Sequence, residues 1–134
     1  MATGYEGKTQ ITIMVSVPAE QEKAGDEIFE RHKKWMQSTH GPWGLLFYTV
    51  CKNKELSAPL DQSSAPTGKI IFTLTEVYAS PEGLQKHWSS APTDIPDVFK
   101  DFAAFCTTEG HQLMLMHGAP VVRSLYPGDC AFKP

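Results

Sequence analysis

KIIFTLTEVYASPEGLQKHWSS, residues 69–90, decides how this chain is read. Its first half, 69–79, is dense in β-branched and aromatic residues and reads as a strand. Ser80-Pro81-Glu82-Gly83 then has the chemistry of a helix start, with Ser80 as cap and Pro81 at the first helical position. The short helix that follows carries Leu84, His87 and Trp88, which share one face at helical spacing. Pro92 is expected to interrupt it. A carboxylate, Glu76, lies inside the apolar strand, where it must be paired, hydrogen-bonded or turned to water.

Working outward, QITIMVSV, 10–17, reads as a first strand ending at Pro18. A helix is expected after it, with Ile28, Trp35 and Met36 on one stripe and an end at Gly41-Pro42. Gly25 costs helicity, so that helix is expected to begin after it. WGLLFYTVCK, 43–52, reads as a second strand, and 53–68 as a long polar loop. Beyond Pro92 a further helix runs to about Thr107, with Val98, Phe99, Phe102 and Cys106 along a stripe. Residues 111–125 form the last strand region. Residues 1–9 read as a flexible leader and 126–134 as a tail, leaving one domain over 10–125. The order strand, helix, strand, strand, helix pair, strand predicts an α+β fold. It is the ferredoxin-like split of two βαβ halves, an antiparallel sheet with helices on one face.

Such a sheet should alternate apolar and polar residues, and these strands alternate poorly. Met14 opposes Ile11, Ile13, Val15 and Val17; Leu46, Tyr48 and Val50 oppose Trp43, Leu45 and Phe47; Met114 and Met116 oppose Leu113 and Leu115. The helices cover one face only. A second copy of the chain is the simplest cover for the other, so a homodimer is expected.

The bulk properties exclude several classes of function. The 134 residues carry a formal net charge of −3, and the densest basic group is RHKK at 31–34. That short group reads as a solvated helix face, so no nucleic-acid partner is expected. No stretch has the length or apolarity of a membrane span or signal peptide, which sets the expectation of a soluble, cytoplasmic protein without a membrane partner. Cys51, Cys106 and Cys130 are odd in number and widely spaced, so no disulfide framework is read; Cys51 and Cys106 are expected buried. GxGxxG, the phosphate loop, GxSxG and HExxH are all absent. No cofactor or metal is expected: two histidines and a carboxylate could meet only in three dimensions, since no spacing demands it.

The residues able to do chemistry are few. His87 faces either a cavity or the core, where its near-neutral pKa suits a base or hydrogen-bond donor. His32 borders the apolar stripe of the first helix and either faces the same cavity or sits half wet. Glu76 and Tyr78 share a strand face, so an inward Glu76 could orient a histidine. Trp35, Tyr48, Phe72 and Trp88 serve either as core or as walls for a flat ligand. His40 suits a helix C-terminus.

EVYASPEGLQKHWSSAP, 76–92, together with the element order over about 10–123, resembles the antibiotic-biosynthesis-monooxygenase-like family of dimeric α+β barrels. In that family a strand ending in an acidic residue and an aromatic leads through a turn to a helix with Leu and His; the matching residues are Glu76, Tyr78, Leu84 and His87. The resemblance implies a dimeric barrel with a site between sheet and helices. It implies cofactor-independent monooxygenation of a small aromatic or polyketide-like substrate, with His87 as base, His32 and Tyr78 as supports, and Trp35, Tyr48, Phe72 and Trp88 against the substrate. A non-catalytic binder or a cyclase-like protein is the alternative the resemblance leaves open. Haem binding through His87 is another, although no asparagine occurs in 10–17 to match the haem-degrading branch.

Overall fold

A computed structural model describes residues 4–126. Its elements are β1 (Thr9–Pro18), a one-turn 3-10 helix (Ala19–Gln21), α1 (Glu22–Thr39), β2 (Leu45–Leu56), β3 (Pro66–Tyr78), α2 (Pro81–Asp94), α3 (Pro96–Thr107) and β4 (Gln112–Pro120). The strands pair antiparallel in the order β2-β3-β1-β4, and the helices lie on one face. This is the expected ferredoxin-like α+β arrangement.

Alternation along β1 and β3 builds the core. Ile11, Ile13, Val15 and Val17 of β1 and Ile70, Phe72 and Leu74 of β3 are buried, and they pack with Ile28, Phe29, Trp35 and Met36 of α1. Glu76 and Tyr78 continue that inward row at the end of β3. The stripe that decided the strand therefore carries a carboxylate and a phenol into the helix–sheet layer.

Local chemistry corrects several expectations. Gly25 lies inside α1, not before it. A Cβ there would come within 2.6 Å of Phe72 Cζ, so the missing side chain lets α1 lie close on the sheet. The loop expected over 53–68 is shorter, because β2 runs to Leu56 and β3 begins at Pro66, with Lys54 facing Ile70 and Leu56 facing Pro66. Pro92 does not end α2; the helix breaks at Ile95, with φ −136° and ψ 59°. Ile95 precedes Pro96, whose ring drives its neighbour out of the helical region. Ser80 occupies the cap position but makes no side-chain cap bond. The leader is pinned from Gly4 on: Tyr5 N–H donates to Ser124 Oγ at 2.8 Å, and Gly7 N–H to Val121 O at 2.9 Å. Cys51 is exposed, while Cys106 is buried as expected. Residues 127–134, with Cys130, lie outside the described residues.

A bulge re-aims β2. Its register with β3 shifts between Leu45 and Phe47. Leu45, Tyr48 and Val50 consequently all face the core, and Leu46 and Phe47 are exposed. Strict alternation had placed Leu45 opposite Tyr48; one extra residue removes that opposition. On the outer face Met14, Met114 and Met116 are exposed, and Met14 pairs with Met114 across β1 and β4.

Candidate functional site

Four segments bring polar side chains into one layer beneath the helices. α1 supplies His32 and, at its C-cap, His40. β2 supplies Tyr48, β3 supplies Glu76 and Tyr78, and α2 supplies His87. His40 is fully buried, Glu76 is 1% exposed and His87 6% exposed. Trp35 packs over the group, its ring centroid 4.5 Å from that of His40 and 5.0 Å from that of His87. Its indole N–H donates to Asp94 Oδ2 at 3.1 Å, which ties α1 to the end of α2.

A chain of hydrogen bonds fixes the protonation of the two deepest imidazoles. The Thr39 hydroxyl donates to Trp35 O at 2.7 Å, so its one hydrogen is used. Thr39 Oγ1 lies 2.7 Å from His40 Nδ1 and must therefore accept from it. His40 is then left with a lone pair on Nε2. His87 Nδ1, 2.7 Å away, donates to that lone pair. His87 keeps its own lone pair on Nε2. Burial reinforces this neutral state, holding His32 and His40 down to about 4 and His87 to about 2.

Glu76 stands opposite. The Tyr78 hydroxyl donates to its Oε1 at 2.6 Å. Glu76 Oε1 also lies 3.9 Å from His87 Nδ1, and its Oε2 lies 3.9 Å from His32 Nε2. Burial pushes the carboxyl up to about 7, and the Tyr78 bond opposes that rise. His32 Nδ1 is 3.0 Å from the Tyr48 hydroxyl. Burial, with Glu76 beside them, drives both phenols well above their ordinary range.

His32, His87 and Trp88 line a cavity with Ile13, Phe99 and Phe102 among its other walls. Its volume is about 30 Å³. A site that admits a benzene ring needs roughly 150 Å³, whereas one or two waters need only a few tens. The cavity lies between sheet and helices with His32 and His87 on it, but of the expected walls only Trp88 lines it, and it is too small for a flat ligand or a haem. An open groove of about 830 Å³ lies between α2 and β4, lined by Leu84, Gln85, His117 and Trp88. Trp88 is a wall of both spaces. Its indole N–H is buried without a hydrogen-bond partner.

The other candidates separate. Phe72 packs against Phe29 and Phe105 and lies outside the cavity wall, so it is a core residue. His117 stacks near Trp88 with centroids 5.3 Å apart, and His111 Nδ1 bonds Phe105 O at the end of α3. His40 was expected only as a helix cap. It does end α1, with its N–H donating to Met36 O, but its ring belongs to the cluster. The signal that could have found it is its fixed place after an amphipathic helix whose apolar stripe already contains Trp35.

No family model and no curated protein matches the chain. Among solved structures it is similar to a dimeric ferredoxin-like protein from an uncultured marine organism, at 9% identity and a TM-score of 0.57. That match covers 88% of this chain and 99% of the other. It shows the ferredoxin-like fold. A structure of CPII bound to ADP, AMP and acetate, from Thiomonas intermedia K12, overlaps 86% of this chain and 90% of its own at 12% identity. Its TM-score of 0.37 carries no argument.

Proposed function

We propose that the chain is a homodimeric enzyme of the antibiotic-biosynthesis-monooxygenase-like kind. Its reaction is proton abstraction from a small aromatic or polyketide-like substrate, followed by cofactor-independent oxygenation. One observation carries this reading: the bonds through Thr39 and His40 leave His87 neutral, with a bare Nε2 on a ring that lines a cavity. Burial holds this ring low in the empty site; ionised Glu76, 3.9 Å from Nδ1, and a substrate anion forming beside Nε2 raise its affinity for the proton it takes as general base.

The chemistry closes without a cofactor. A CH₂ group between two aryl rings conjugated to a carbonyl gives up one proton to His87, and the carbanion adds O₂. The peroxide formed takes up a proton, then loses water with the second C–H hydrogen to leave a ketone. The substrate supplies all the electrons. His32, Tyr78 and Glu76 hold the polar edge in place, and Trp35 supports the His87 ring. Entry requires the cavity to widen, and Trp88 is the wall to move, since it lines both the cavity and the open groove and no hydrogen bond holds its indole.

The homodimer draws support from the exposed Met14, Met114 and Met116 on the outer face and from the dimeric state named for the similar ferredoxin-like structure. The test of the reaction is oxygen uptake with an anthrone as probe, in chelator-treated buffer. His87→Ala is expected to lower the rate by ~10²-fold or more. Unchanged turnover removes His87 from the reaction, and no uptake by the parent protein removes the oxygenase reading.

A further inference from the structure

His32, Glu76 and His87 also form a triangle of donors. Each offers one ligand atom, and these atoms all lie within 4.8 Å of one another. The three come from α1, β3 and α2, so the ferredoxin-like packing itself assembles them. A buried carboxylate needs an opposite charge, a set of donors or a metal. Glu76 is 1% exposed, yet it has Tyr78 on Oε1 and, on Oε2, an imidazole nitrogen only at 3.9 Å. That separation is too long for a hydrogen bond.

We infer that His32, Glu76 and His87 form a binding site for a first-row divalent metal ion of the Zn²⁺ or Fe²⁺ class, with an open position toward the cavity. Two imidazoles and one carboxylate are the donor set such ions take. Ligand atoms around a tetrahedral ion at about 2.0–2.1 Å stand roughly 3.3 Å apart. Glu76 Oε2, 3.9 Å from His32 Nε2, reaches that spacing by a small side-chain shift, and Oε1, 3.9 Å from His87 Nδ1, does so as that nitrogen gives up its proton. Tyr48 holds His32 through Nδ1 at 3.0 Å and leaves Nε2 toward Glu76, the outer support that ligating histidines require. His87 Nδ1 is the nitrogen His40 engages at 2.7 Å, so ligation through it exchanges that bond for the ion. The adjoining cavity of about 30 Å³ has room for one or two waters as the remaining ligands. The donor set excludes a hard-ion preference for Ca²⁺ or Mg²⁺, which take oxygen.

The inference concerns the same cluster as the proposed reaction but stands without it. An ion here would occupy the histidines, and a metal-bound water would become the base. Binding is measured on the resting, chelator-stripped protein by calorimetry with Zn²⁺ and by visible absorption with Co²⁺, without substrate. One equivalent should bind at micromolar or lower Kd, and Co²⁺ should give the intense bands of a low-coordinate nitrogen–oxygen site. His32→Ala and Glu76→Gln should each weaken binding at least ~10-fold, while His111→Ala and His117→Ala should not. Glu76→Gln retains the shape and hydrogen bonding of the site, so its effect is not one of misfolding; circular dichroism confirms this for each variant. Absence of stoichiometric binding, or binding moved by His111→Ala or His117→Ala instead, overturns the site. Failure here leaves oxygen uptake in chelator untouched, and failure of oxygen uptake leaves metal binding standing.

Discussion

His40 Nε2 lies 2.7 Å from His87 Nδ1, with 47 residues between them in the chain. This contact joins the end of α1 to the middle of α2 and sets which nitrogen of His87 is bare. His40→Phe leaves the His87 N–H buried without an acceptor. The expected cost is about 1–3 kcal/mol, read as a lower urea midpoint at unchanged slope.

The two inner tryptophans should respond differently to losing their N–H. Trp35 donates to Asp94, whereas the buried Trp88 N–H has no partner. Trp35→Phe breaks a charge-assisted bond to Asp94, whose exposed carboxylate keeps its water, a loss of about 1–2 kcal/mol. Trp88→Phe removes an unpaired donor and is expected to leave stability within about 1 kcal/mol of the parent. Thermal and urea denaturation of the pair measure the difference.

Stability should fall as pH drops from 7 to about 4.5. The unfolded histidines take up protons near 6.5, while folded His32 and His40 wait until about 4 and His87 until about 2. Each group's contribution to stability is thus present in full above 6.5 and is lost progressively as pH falls from 6.5 toward the folded value. Glu76, raised from 4.5 to about 7, works the other way and favours the fold over the same window. Three histidines outweigh one carboxyl, for a net loss of a few kcal/mol. Urea midpoints measured across this range test the sign, and a flat or rising profile contradicts it.

Gly25→Ala should destabilise the protein although alanine is the better helix former. The gain in propensity is about 1 kcal/mol. Against it, the new methyl meets Phe72 at 2.6 Å and Phe105 at 3.0 Å, and both are buried rings. A net loss of about 1–2 kcal/mol is expected from overpacking, measured by denaturation.

The apolar outer face sets the fifth expectation. Met114, 73% exposed, should lie in the interface of the proposed homodimer. Met114→Lys should shift the mass measured by light scattering from dimer to monomer, while a Leu60→Lys control in the exposed 57–65 turn should not.

Much of the fold was legible in residues because it rests on period and punctuation. The apolar rows of 10–17 and 69–79, the Pro81 start and the stripe through Ile28, Trp35 and Met36 each placed an element. The bulge at Leu46 left no sign, because both parities of β2 are apolar and either register satisfies the pattern. The loop was overdrawn because 53–55 are polar and 66–68 are Pro-Thr-Gly; they pair at a solvated sheet end, where an apolar run is not needed. For the site, helix phase brought out His87 and His32, and the inward row of β3 brought out Glu76 and Tyr78. Phe72 shares that row but lies nearer its start, away from the polar end. The triangle of His32, Glu76 and His87 is a product of three elements meeting, so no spacing within the sequence encodes it.

The neutral His87 with its proton on Nδ1 is the point on which the reaction depends. A long-range nitrogen–proton correlation spectrum of the chelator-treated protein at pH 7, assigned with His87→Gln, reads the state of each ring nitrogen. The account predicts a protonated Nδ1 and a bare Nε2 for His87, and the same tautomer for His40. A proton on Nε2 of His87, or on both its nitrogens, would contradict it.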